Sequence, residues 1–322
     1  MANIQLVGRP QGDTQGGTLA VGERRPRSRV TPVLRDLVIL TKPRITALVL
    51  VTEAAGMCLA SGSVSVRPHP RTLWLSLLGT ALIVAAANVL NMWLERDVDA
   101  LMSRTCNRPL PSGRLSPEVA LGFGLALAAV AIPMLLVVNL PTCVLGLAAL
   151  VTYVLVYTPL KRHTYLALLV GAMPGAMPPL LGWSTVTGSV GLGGVLLFLF
   201  LFLWQVPHFA AITIFRSDDY RCAGLRVVSV EHGEKAARHM IALYAALLVV
   251  TSFSFVSSRL AGPKYAVAAI VGGAAFLALA LTGTLAGPSL DSRGWAKRVF
   301  ACSIPYLVIM LFVLVVDRLP MQ

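Results

Sequence analysis

The chain alternates between long apolar runs and short polar connections. Nine runs stand out, at about 37–60, 72–95, 117–138, 140–158, 165–183, 192–215, 239–257, 264–286 and 299–316. An α-helix needs about 20 apolar residues to cross a bilayer core. In lipid the backbone must satisfy its own polar groups, so the runs predict helices. Residues 139–141 predict a very tight turn between the third and fourth. Pro174, Pro178 and Pro179 predict a distorted fifth helix. The expected fold class is all-α: a polytopic membrane protein with nine transmembrane helices. One domain is expected over 35–318. Residues 1–34, rich in Gly, Arg and polar side chains, are expected to form a disordered basic tail. They lack the apolar stretch of a secretory signal, and Asp13 and Glu23 argue against a transit peptide.

Composition agrees with a membrane setting. Hydrophobic residues make up 56% and charged residues 13%, where a soluble domain carries about 25% charge. The net charge of +13 is spread between the apolar runs, so no nucleic-acid partner is expected. Of the 27 basic residues, 22 fall in the N-terminal segment and the alternate connections after runs two, four, six and eight. The positive-inside rule places these in the cytoplasm of a bacterial cell, across its inner membrane. In a mitochondrial inner membrane they would face the matrix. The five cysteines form no CxxC pair, so neither a disulfide framework nor a zinc site is expected.

The candidate chemistry lies where the second run opens onto NMWLERDVDALMSRTCNRPLPSGR, residues 91–114. Asn91, Glu95 and Asp99 are spaced by four, which puts them on one face of a helix. Carboxylates at the edge of a membrane span are costly and default to a functional reading. Oxygen ligands on one face suit Mg²⁺, which is held by carboxylates together with substrate phosphates. Arg104, Arg108 and Arg114 follow, well placed to grip phosphate. Asp97 points away from this face. On the same side of the membrane, the sixth run ends in RSDDYRCAG with Asp218 and Asp219. The two acidic clusters could clamp a diphosphate through bridging metal ions. Alternatively, Asp218 and Asp219 balance Arg216 and Arg221.

Other polar residues have two readings each. Lys161 and Arg162, closing the fourth run in YTPLKR, are positive-inside anchors or counter-charges for a departing diphosphate. Lys42 and Arg44 overlap in the same way. His208, inside the sixth run, bonds to a neighbouring helix or touches a substrate carboxylate or iron. Glu53 is a lone acid inside the first run, facing a polar cavity or bonding within the bundle.

TKPRIT, NMWLERDVDALMSRTCNRPLPSGR, YTPLKR, GAMPGAMPPLLGW, WQVPHF and FRSDDYRCAG occur in this order. Together they resemble the UbiA superfamily of intramembrane prenyltransferases, and within it the haem-modifying branch, over about residues 35–316. The resemblance implies a nine-helix bundle around a central cavity that opens to lipid. It implies Mg²⁺ as cofactor, with Asn91, Glu95, Asp99 and Asp219 as ligands and Asp218 beside them. Arg104, Asn107, Arg108, Lys161 and Arg162 match positions near the diphosphate, and His208 is a haem-contact candidate. The implied substrates are farnesyl diphosphate and haem B, with a downstream haem A synthase as partner. An aromatic acid or quinone precursor is the alternative acceptor. The second motif is followed by LRVVSV (225–230) rather than the P-M-L-P of haem-type sequences, so the loop there is expected to differ. A transporter would need a continuous polar route, and the outer half of the chain is apolar.

Overall fold

A computed structural model describes residues 30–62, 64, 68–102, 105–285 and 291–319. Among these, the one β feature is an isolated bridge between Ala261 and Arg318. Everything else of length is helix.

The first expected span is two helices. α1 (Val30–Leu40) and α2 (Pro43–Ala60) meet at Lys42, whose φ of 49° and ψ of 64° are left-handed. Pro43 accounts for the break. Its ring disfavours right-handed helix at the residue before it, and it suits a first helical turn. α1 starts inside the stretch expected to be a tail, so residues 30–34 are helical; residues 1–29 lie outside the described residues.

α3 (Pro70–Asp99) has 30 residues, about 45 Å of helix, and therefore carries the whole acidic face within it. α4 (Pro117–Val138) and α5 (Leu140–Val151) are joined through Asn139 alone. Its extended backbone ends one helix, and its Oδ1 accepts from Thr142 N to start the next. The tight turn is where the sequence placed it. The chain then passes through one π-helical segment, Thr152–Tyr157, into α6 (Thr158–Leu160). α7 (Ala167–Thr187) stays helical through its three prolines. α8 (Leu192–Phe215) is followed by two short helices, α9 (Ser217–Cys222) and α10 (Val228–Glu231), and then by α11 (Gly233–Ser257), α12 (Pro263–Leu285) and α13 (Ser292–Val316).

Among the described residues, eight helical stretches are long and apolar enough to cross a membrane. The remaining expected span, the fifth, is α7, which has the length at 21 residues. Its prolines, glycines and terminal Ser/Thr residues lower its hydropathy. Large apolar side chains such as Leu48, Val51, Trp74, Leu125, Val137, Leu155, Val271 and Phe312 are exposed on the outside of the bundle. Such a surface suits lipid, not water.

Helices in lipid associate through close packing at small residues. On the α2–α7 seam, a Cβ on Gly56 would lie 2.1 Å from the Pro179 carbonyl oxygen, and one on Gly182 would lie 2.0 Å from the Glu53 carbonyl oxygen. On the α3–α4 seam, Gly79 receives Leu135 and Gly124 receives Leu90. The second half is filled by aromatics, with Trp183, Phe200, Trp204, Phe255, Tyr265, Trp295 and Tyr306 in one cluster. A smaller cluster at one end positions the site. Met102, just past α3, packs with Ala223 and Leu225, just past α9, and Val98 and Tyr220 lie against them. These contacts fix the loop carrying the second acidic pair onto the end of the helix carrying the first.

The α2–α7 seam makes a direct prediction. Gly182→Ala should lower the thermal unfolding midpoint of the detergent-solubilised protein, because its methyl meets backbone; overpacking costs about 1–3 kcal/mol. Gly122→Ala, with nothing within 4 Å, should leave the midpoint unchanged or slightly raised. Equal behaviour of the two variants would contradict the seam.

Candidate active site

The last turns of α3 bury Asn91, Glu95 and Asp99, with residue exposures of 4%, 4% and 2%. A buried carboxylate needs a compensating charge, and each of the two has one. Lys161 Nζ sits on Glu95 Oε1. Arg108 Nη1 donates to Asp99 Oδ2 at 2.7 Å. The loop bearing Arg108 is folded back by Thr105, whose hydroxyl donates to the Asp99 carbonyl oxygen at 2.7 Å. Asn91 Nδ2 donates to Thr158 Oγ1 at 2.9 Å, and Thr158 in turn donates to the Tyr153 carbonyl at 2.8 Å. This orientation leaves the Asn91 amide oxygen as a spare acceptor.

The π-helical segment explains how Lys161 arrives. Wider turns of this kind appear mostly as single insertions at functional sites. Here the segment shifts Tyr153, Tyr157, Thr158 and Lys161 into register with α3. Tyr153 and Tyr157 lie 5.4 Å apart, and Lys161 Nζ is 5.7 Å from the Tyr157 ring centre. Gly171 makes room for Tyr157, since a Cβ there would be 2.5 Å from the ring.

Lys42 completes the group. It is half-buried at the left-handed junction of α1 and α2. Burial, then the Arg108 guanidinium, lowers its ammonium pKa to about 8, while Glu95 and Asp99 pull the other way. The sequence left Lys42 between an anchor and a diphosphate counter-charge; the K-P pair that turns it inward is the signal that marks it out.

Other expected residues fall differently. Arg114, expected to grip phosphate, instead pairs with buried Asp36 of α1 at 3.2 Å and donates to the Asn107 carbonyl. It holds α1 in place. Asn107 and Arg162 are exposed. Arg104 lies outside the described residues. Asp218 is exposed and bound by Arg293 at 2.7 Å and by Arg221 at 3.7 Å. Asp219 is half-buried, 3.6 Å from Arg216, and its Oδ2 is enclosed without a hydrogen-bond partner. The LRVVSV segment leads into α10: Ser229 of α10 donates to the Thr213 carbonyl, and Arg226 N, ahead of the helix, donates to the Lys161 carbonyl. The departure thus forms a strap between α8 and Lys161.

Among the described residues, no three acidic, histidine or cysteine side chains converge on one ion. The acids are held by cations instead. Oxygen donors at Asn91, Glu95, Asp99 and Asp219 nevertheless fit a hard cation that takes its remaining ligands from phosphate and water, as Mg²⁺ does.

His208 lies apart from this group, and its described contacts are with α8 and α13. Its ring is stacked between Trp204 at 4.7 Å and Phe300 at 4.5 Å. Nδ1 is 2.7 Å from Ser303 Oγ, and that hydroxyl donates to the Phe300 carbonyl at 2.7 Å. Ser303 has spent its one hydrogen, so Nδ1 is the donor and Nε2 keeps its lone pair.

A family model described as the UbiA prenyltransferase family matches residues 49–313. The protoheme IX farnesyltransferase of Anaeromyxobacter sp. (strain Fw109-5) is 47% identical over 296 residues, covering 91% of this chain and 97% of that one. That of Sorangium cellulosum (strain So ce56) is 54% identical over 248 residues, covering 77% and 88%. Among solved structures, a digeranylgeranylglyceryl phosphate synthase superposes with a TM-score of 0.76 at 16% identity, covering 88% of this chain and 98% of that one. A UbiA homolog from Archaeoglobus fulgidus bound to GPP and Mg²⁺ superposes with 0.59 at 17% identity, covering 87% and 99%.

The Lys161–Glu95 pair is testable. Lys161→Met should destabilise the folded protein by about 3–5 kcal/mol, the cost of stranding a buried charge. Adding Glu95→Gln should restore most of the loss, as read by thermal unfolding of both variants. Additive losses would show that the two side chains do not face each other.

Proposed function

We propose that this chain, which belongs to the UbiA prenyltransferase family, transfers the farnesyl group of farnesyl diphosphate to a vinyl group of haem B, giving haem O. The observation that carries the reading is the buried Asn91–Glu95–Asp99 face, paired with Arg108 and Lys161 and with Lys42 nearby, at the end of an apolar bundle. The name carried by the full-length relatives supports the farnesyl donor and the haem acceptor.

In this reading the farnesyl tail lies among the apolar helices. Lys42, Arg108 and Lys161 attract its diphosphate, and Arg104 and Arg162 add positive charge. Bound Mg²⁺ supplies positive charge that stabilises the departing diphosphate. Asn91, Glu95, Asp99 and Asp219 would hold it, with Asp218 fixing the loop through Arg293. Preorganised charge aimed at the leaving group is the largest contribution such a site makes. The C1–O bond of the donor breaks and an allylic cation forms. Apolar helices keep water from it. The vinyl group attacks, and the porphyrin-stabilised cation takes up water and releases a proton. His208 presents a lone pair at Nε2, which fits a haem iron better than a propionate. The basic connections support a site on the cytoplasmic side of a bacterial inner membrane. A haem A synthase would take the product.

Membranes containing the protein, given haem B, farnesyl diphosphate and Mg²⁺, should form haem O detectable by mass spectrometry. EDTA should abolish it, and Asp99→Ala should lower the rate at least ~10²-fold, the cost of removing one electrostatic group from such a site. Prenylation of 4-hydroxybenzoate with none of haem would replace the acceptor. Full activity in EDTA would remove the metal.

A further inference from the structure

Four acidic residues are buried among the described residues: Asp36, Glu53, Glu95 and Asp99. Asp36, Glu95 and Asp99 each face a cation. Glu53 faces none. It is 0% exposed, 11 residues beyond Lys42 along α2, about 16 Å deeper in the bundle. Ser76 and Thr80 approach it from α3, and Thr185 and Gly182 come with α7. The prenyl-transfer site uses none of these groups.

The hydrogens around Glu53 can be counted. Glu53 Oε1 is 2.7 Å from Ser76 Oγ, Ser76 Oγ is 2.7 Å from Thr185 Oγ1, and Thr185 Oγ1 is 2.9 Å from the Leu181 carbonyl oxygen. All three are ordinary O–H···O lengths. A carbonyl has no hydrogen to give, and each hydroxyl has one. Three contacts need three hydrogens, and Ser76 and Thr185 supply two. The third has to come from the carboxyl group.

We infer that Glu53 is a proton-binding site inside the membrane, held as a neutral carboxylic acid that donates through Ser76 and Thr185 to the Leu181 carbonyl. Among the described residues, Glu53 Oε2 and Thr80 Oγ1 are both enclosed without a hydrogen-bond partner, and the Thr80 hydroxyl lies beside the Glu53 carboxyl. The neutral form removes the desolvation cost of an unpaired buried charge. Ionisation would leave the relay one hydrogen short and break it at Ser76 or Thr185. The relay joins α2, α3 and α7, two of which carry site groups at their other ends: Lys42 before α2 and the acids on α3. The proton on Glu53 therefore completes the series of bonds that joins these three helices.

Infrared spectroscopy of the full chain in lipid vesicles, with ¹³C in every glutamate carboxyl, tests this at neutral pH. The chain has six glutamates. Glu95, Glu231 and Glu234 face cations, Glu118 is exposed, and Glu23 belongs to the basic N-terminal segment. A label-shifted band from a protonated carboxyl is expected, and Glu53→Gln should abolish it. Should Glu53→Gln fail to fold, Ser76→Ala should move the band to higher frequency. No such band in the wild type, a band that survives Glu53→Gln, or one that Ser76→Ala leaves unmoved would overturn the assignment.

Discussion

Carboxylates in the last turns of a membrane helix have to be met by cations, and this requirement shapes one whole end of the molecule. α3 cannot supply the cations to its own inner face. They come from three separate segments: Lys161 after the π-helical segment, Arg108 from the loop beyond α3, and Lys42 from the break between α1 and α2. Each arrives through a local irregularity. A π-helical turn, a left-handed lysine and a loop folded back by Thr105 are all costly or unusual by themselves. Together they place three cations against two carboxylates. In the proposed function, the surplus positive charge, with the acceptor oxygens of Asn91 and Asp219, would form the receptor for an anion that brings a metal with it.

The rest of the bundle keeps that receptor rigid and dry. Aromatic packing fills the second half, small residues close the seams of the first, and the Met102–Ala223–Leu225 cluster ties the two acidic loops together. Acids are treated in two ways in one molecule. Glu95 and Asp99 are paired with cations, whereas the hydrogen count around Glu53 assigns it a proton. The difference follows from the partners that each position offers: lysine and arginine at the membrane edge, hydroxyls deeper in.

Much of this was legible in the residues. Apolar runs gave the long helices and the turn at Asn139, because backbone in lipid has few options. The spacing of four gave the face of Asn91, Glu95 and Asp99. The irregular parts were not legible. A span broken at Lys42–Pro43 reads as continuous when only hydropathy is followed, and a π-helical segment has no periodicity of its own in six residues. Arg114 looked like a phosphate ligand, because sequence distance hid Asp36, 78 residues away. The resemblance set Asp219 apart from Asp218 as a metal ligand, and packing adds that Asp218 is exposed while Asp219 has an enclosed oxygen.

In the proposed function the acids complete a metal site only together with a diphosphate. Electron paramagnetic resonance with Mn²⁺ in place of Mg²⁺ tests it on the wild-type protein, with and without an unreactive thio-analogue of farnesyl diphosphate. Tight Mn²⁺ binding that appears only with the analogue, shows coupling to phosphorus, and is lost in Asp99→Asn is the predicted result. Equally tight binding without the analogue, or binding indifferent to Asp99→Asn, would contradict it.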